Sequence, residues 1–249
     1  MLRTLALAVI GLAVFAAPAL AEPTTLTVRT ISRDAKFIGT GMGGMEIRLV
    51  DARTGAELAR GLTAGGTGDT NRLVVEPRVR QAPLAGEGDG VFTAVVDIKT
   101  PTLVRLEARG PVGYPASAVT VTAELWVLPG QPVTGDGWVI EVPGLVVSPT
   151  ASRTPDGLTV TSKVMLMCGC PVTPGGLWDA DHYEVIAWVA GPDGIGKAHP
   201  LSYSGQASTF GATLVEAPDG PLTITLTAVD KRTGNTGVTV IAVPAQAAK

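Results

Sequence analysis

The sequence predicts an all-β chain of antiparallel sandwiches, and three observations carry that expectation. Apolar and polar residues alternate with a period of two, as in Met45-Glu-Ile-Arg-Leu-Val50, where Met45, Ile47 and Leu49 share one face. Such alternation marks strands with one dry and one wet side. Turn-forming residues interrupt it about every eight to twelve positions, the spacing of sandwich strands, and 31 glycines and 19 prolines among 249 residues supply those turns. No helix of useful length is visible beyond the N-terminal stretch.

That stretch is Met1-Leu-Arg-Thr, an apolar run over 5–17, then Ala19-Leu20-Ala21. A positive start, a short apolar core and an Ala-x-Ala site predict a cleaved signal peptide over 1–21. The run is shorter than the roughly 20 residues a bilayer requires, and no cysteine follows it to take a lipid anchor. The mature chain is therefore expected to be soluble and exported, periplasmic or secreted, with no membrane span. Nineteen basic and 22 acidic residues give a net charge of −3. Nothing suggests a basic face, which argues against nucleic-acid binding. Two cysteines cannot staple a chain of this size, so an apolar core must hold it.

The first domain is expected over 22–140. Its strands fall at 25–29, 45–50, 57–61, 73–79, 91–98, 103–108 and 119–127, with Asp51-Ala-Arg-Thr-Gly55 as a turn and 65–69 as a loop. The turn-rich segment 129–137 begins the crossing, and strands at 138–142 and 145–147 flank the boundary. The second domain is expected over 141–249, with strands at 145–148, 158–168, 183–190, 201–203, 209–215, 222–229 and 238–243. Seven strands in about 100 residues is the count of an immunoglobulin-like sandwich. The last two form a hairpin across Asp230-Lys-Arg-Thr-Gly-Asn235, whose glycine and asparagine suit positive φ. Trp188, in the third strand, is expected to be the large buried aromatic. The prediction is thus two tandem immunoglobulin-like antiparallel β-sandwich domains after a cleaved signal peptide.

The first half also carries a resemblance. Residues 44–63, Gly-Met-Glu-Ile-Arg-Leu-Val-Asp-Ala-Arg-Thr-Gly-Ala-Glu-Leu-Ala-Arg-Gly-Leu-Thr, followed by Gly90-Val-Phe-Thr-Ala-Val, resemble carboxypeptidase-regulatory-like (transthyretin-like) domains. The resemblance implies a small β-sandwich, usually non-catalytic, and carries no site residue with it.

Candidate chemistry concentrates in Met165-Leu-Met-Cys-Gly-Cys-Pro171 and Trp178-Asp-Ala-Asp-His182, which hold both cysteines and one of two histidines. In the strand over 158–168, period two puts Leu158, Val160, Ser162, Val164 and Leu166 on the core face. Met165 and Met167 then fall on the wet face with Thr159 and Lys163. Gly169 and Pro171 end the strand and leave Cys168 and Cys170 at its rim. Three readings follow. Thioether and thiolate ligands select Cu(I), so Met165, Met167, Cys168 and Cys170, with His182 as an optional fifth ligand, form a candidate copper site. Met42 and Met45 make a second methionine pair. Alternatively, Cys168 and Cys170 exchange disulfides with other thiols. In the third reading the cysteines form an inert disulfide, and the methionines are covered by the other domain or a partner subunit, a use to which adaptable methionine is suited.

Asp179, Asp181 and His182 read first as a turn entering the next strand, with Trp178 capping the core. His199 reads as a loop residue. Gly39-Thr-Gly-Met-Gly-Gly44 matches the dinucleotide pattern but lacks a following helix. There is no nucleophile elbow and no zinc-protease helix motif. The expectation is a non-enzymatic exported binding protein, with copper at the Met165–Cys170 rim. A structural or interaction subunit and a disulfide-exchange protein stand as alternatives.

Overall fold

The computed structural model describes residues 22–194, 196–215, 217 and 220–245. The expected signal peptide lies outside the described residues. Alternation over the first half gives β1 (Glu22–Ser32), β2 (Glu46–Asp51), β3 (Glu57–Leu62), β4 (Phe92–Ile98), β5 (Thr102–Gly110), β6 (Val119–Val127) and β7 (Val133–Val142). They form two sheets, in the orders β4-β1-β7 and β3-β2-β5-β6. All ladders are antiparallel except β1 with β7. Leu26, Val28 and Val96 of one sheet share a buried cluster with Ile47, Leu49, Val104 and Leu106 of the other. The β2–β3 turn is set locally: the Asp51 carboxylate accepts from the amides of Arg53 and Thr54, and Gly55 adopts φ 74°.

The outer face of the β3-β2-β5-β6 sheet is a lattice of ion pairs. Arg48 meets Glu57 and Glu107, Arg60 meets Glu46 and Glu57, and Arg105 meets Glu107. Hydrogen bonds from Arg60 and then Arg48 hold the Glu57 carboxyl down to about 2, from an ordinary 4.5. A depressed carboxyl stabilises the fold above its ordinary value, and that contribution is lost as pH falls toward about 2. An Arg60→Ala variant should therefore move the Glu57 midpoint back toward 4.5 in a carbon-detected NMR titration. A midpoint still near 2 would show that Arg60 does not hold it.

The second half forms β8 (Leu145–Thr154), β9 (Gly157–Leu166), β10 (Tyr183–Ala190), β11 (Gly196–Pro200), β12 (Ser202–Tyr203), β13 (Thr209–Leu214), β14 (Leu222–Asp230) and β15 (Thr236–Val243). Their sheet orders are β12-β13-β9-β8 and β11-β10-β14-β15, all antiparallel. Read in chain order, strands one, two, six and five face strands four, three, seven and eight. This is an immunoglobulin-type order with one extra edge strand. The chain is an all-β protein of packed sheets that are antiparallel except for the β1–β7 pairing, which departs from the all-antiparallel expectation.

Three local expectations are corrected. Residues 73–79 form no strand. Asp69 accepts from the Arg72 amide through its side chain and from Leu73 through its carbonyl, opening a π-helical turn at Asn71–Val75. Pro77 cannot donate to a ladder, and Leu73 instead packs with Ile31 and Phe37. Trp188 is not the buried aromatic: it is 42% exposed. Tyr183, Val185, Ala187 and Val189 take the inner face of β10, and Trp188, one residue out of phase, takes the outer one. His199, read as a loop residue, lies in the edge strand β11.

Candidate functional site

The candidate stretch follows from the end of β9. The even positions Leu158, Val160, Ser162, Val164 and Leu166 are buried, as alternation requires, while Thr159, Thr161 and Lys163 are not. Met165 and Met167 depart from the expected wet face: they are 8% and 1% exposed. The sheet's outer face is wet only along part of its length. At its far end it meets the first half, and Met165, Met167 and Val146 join the cluster that contains Leu26, Ile47, Leu106, Met42 and Met45. The two methionine pairs, 120 residues apart in the chain, thus share one core. The exchange runs both ways, because Ala35 of the first half packs in the core of the second.

Polar groups close the same joint. The Met167 amide donates to Ser32 Oγ at 3.2 Å. Trp178 Nε1 donates to the Asp34 carbonyl at 2.9 Å. Ser117 Oγ accepts from the Val147 amide, and both Ser117 Oγ and Thr239 Oγ1 reach the Val147 carbonyl. Asn235, 1% exposed, accepts from the Gly144 amide through Oδ1 and donates to the Gly144 carbonyl through Nδ2. Gly144 sits between β7 and β8, so one side chain holds both polar groups of the connecting residue. Burial pushes the Asp34 carboxyl up, with Arg232 opposing. Burial also pushes the Tyr183 phenol up, followed by the charges of Asp230 and Asp34, and keeps it neutral.

Beyond β9 the chain turns, with the Gly169 amide donating to the Leu166 carbonyl. Cys168 and Cys170 are joined by a disulfide with their Cα atoms 5.4 Å apart. Each is 4% exposed and lies in the second-half core with Val172, Trp178 and Tyr183. Gly169, between them, has φ 80°, and a Cβ there would stand 2.7 Å from Met42 Sδ. The sulfur atoms expected to form one set therefore divide. Met165 and Met167 belong to one core and the cysteines to the other, while Met42, from the first half, sits against the disulfide loop.

His182 ends a short 3-10 turn, Ala180–His182, and the Lys231 amide donates to its carbonyl. Asp179 caps that turn by accepting from the amides of Gly175 and Asp181, and these bonds lower its carboxyl. Among the described residues, no group of three or more His, Cys, Asp or Glu side chains is placed to hold a metal ion. No helix of the described residues is long and apolar enough to cross a membrane. Sequence reasoning missed Met42 as a neighbour of the disulfide loop and Asn235 as the tie to Gly144. Neither leaves a signal in one sequence, because both contacts join residues 91 or more positions apart.

No protein-family model and no curated protein matches the chain. Fold and geometry together define a class, an all-β sandwich protein with a disulfide loop at a buried joint between its two sets of sheets.

Proposed function

We propose that the chain is a non-enzymatic, exported structural or interaction subunit in which the sulfur-rich stretch is a joint and not a ligand site. One observation carries this reading: Met42, Met45, Met165 and Met167 belong to a single buried core. Unbranched thioether side chains fill irregular gaps between elements of different origin, which is what a joint between two sets of sheets requires. The buried disulfide supports the same reading, since exchange needs access of a thiolate to one of the sulfurs. The two domains expected at 22–140 and 141–249 would then act as one rigid unit that presents its outer sheets to partners.

A second reading has its own support. Met42 Sδ lies against Gly169, so reduction of Cys168–Cys170 would release two thiols beside a thioether, a soft set suited to Cu(I). Copper stoichiometry on the mature chain under reducing conditions, beside a Cys168→Ser/Cys170→Ser variant, separates the two. The structural reading expects no tight Cu(I) in either protein. Stoichiometric Cu(I) in the wild type, lost in the variant, would replace the joint with a copper site.

A further inference from the structure

Three contacts across the joint fall on one short segment of the second half. The Met167 amide donates to Ser32 Oγ, Gly169 sits against Met42, and Trp178 Nε1 donates to the Asp34 carbonyl. The Cys168–Cys170 disulfide lies inside that segment. Just beyond it, Pro171 bridges back to Met165. Val172 is then tied to Ser208 twice, its amide donating to Oγ and its carbonyl accepting from the Ser208 amide. The crosslink therefore helps set the path by which the chain leaves β9 while it touches the first half.

Two observations indicate what the crosslink controls. It spans a single intervening residue, and a loop so short gains the least chain entropy from closure. Its effect therefore falls on the folded turn more than on the unfolded chain. There is also little slack around it. Each cysteine is 4% exposed, in the core with Val172, Trp178 and Tyr183, and a Cβ at Gly169 would stand 2.7 Å from Met42 Sδ. Two thiol sulfurs keep farther apart than two bonded ones, so the dithiol form needs room that a close-packed joint does not offer. Burial also fixes an order of events. Oxidation by exchange requires a cysteine thiolate to reach the oxidant's disulfide, and both sulfurs are covered once the joint is closed.

We propose that oxidation of Cys168 and Cys170 licenses closure of the joint. The dithiol chain keeps its two sets of sheets folded but unlatched, and the disulfide lets Met42, Trp178 and the Met167 amide dock. One cysteine thiolate attacks a disulfide-bearing oxidant and releases one of its thiols; the second cysteine thiolate attacks the mixed disulfide and releases the other. Each cysteine gives up one proton, and the electron pair reduces the oxidant to a dithiol. Such a latch suits an exported chain, since thiols stay reduced in the cytosol and oxidise outside it. The inference rests on the reading of the sulfur-rich stretch as a joint. It parts from the copper reading, which needs Met42 to stay beside the reduced loop, whereas the latch needs it to leave.

Hydrogen exchange followed by NMR tests it on the mature chain, refolded once in oxidant and once in a phosphine reductant, with the thiol content of each form confirmed in denaturant. The dithiol form should exchange the Met167 amide and the Trp178 indole N–H at least about tenfold faster than the disulfide form, as a local opening does. Amides of β5 and β14 should keep their protection. A Cys168→Ser/Cys170→Ser variant should match the dithiol form in both buffers. Equal protection of Met167 and Trp178 in the two redox forms overturns the latch. Loss of protection across β14 in the dithiol form overturns it too, because the crosslink would then hold the second-half core and not the joint. Failure of the joint reading itself looks different: the disulfide form would unfold in two calorimetric steps.

Discussion

Truncating Met167 to alanine will lower the stability of the whole chain by about 3 kcal/mol, within the range for buried methionine deletions. The residue is 1% exposed, and its Cε atom stands where a Cβ on Gly144 would intrude. Removing three heavy atoms at that point leaves a cavity bordered by residues of both halves. The surrounding backbone cannot collapse into it easily, because the Met167 amide is tied to Ser32 and the Gly144 peptide to Asn235. For a chain of this size the loss corresponds to a fall in Tm of roughly 6 to 12 °C. Chemical denaturation of wild type and variant gives the number directly. A loss below about 0.5 kcal/mol would be the behaviour of a solvent-facing methionine, and would restore the wet-face assignment that simple alternation suggests.

Asn235→Ala should cost a similar amount for a different reason. The side chain is buried and satisfies both the amide and the carbonyl of Gly144. Alanine leaves two backbone groups without partners, and each unsatisfied buried group costs about 1–3 kcal/mol. The expected total is about 2–4 kcal/mol, allowing for partial access of water. Thr236→Ala, one residue on and exposed, is the control and should change stability by less than about 0.5 kcal/mol. Equal effects of the two substitutions would mean that the hairpin, and not the Gly144 tie, carries the loss.

The contrast between Met165 and Lys163 shows where the sequence is legible. Both lie on the odd face of β9, and alternation assigns them the same environment. One faces solvent and the other is buried, because a sheet face has a length as well as a side. Period two reports the side. What covers the end of a strand depends on contacts with distant residues, here the cluster with Met42 and Met45. Trp188 is the complementary case: its size suggests the core, but its phase places it with Ile186 on the outer face, and phase prevails. The 73–79 segment misleads differently, because Leu73, Val74 and Val75 read as strand until Asp69 and Pro77 are weighed as turn chemistry. Most strands, the closing hairpin and the Asp51–Gly55 turn were legible because each is set by neighbours in the chain. The fourth strand of the second half, β11, was not, since Gly-Lys-Ala-His-Pro has a strand's pairing without a strand's composition.

The methionines of both halves, buried in one shared core, are expected to make one cooperative unit of the two sets of sheets. Differential scanning calorimetry of the mature chain, with a Met165→Asp/Met167→Asp variant beside it, tests that claim most directly. The account predicts a single wild-type transition whose calorimetric and van't Hoff enthalpies agree. The variant, with two carboxylates forced into the joint, should unfold in two separated steps as the halves lose their coupling. Two resolved transitions in the wild type would contradict the account, since the halves would then unfold independently with their methionines intact.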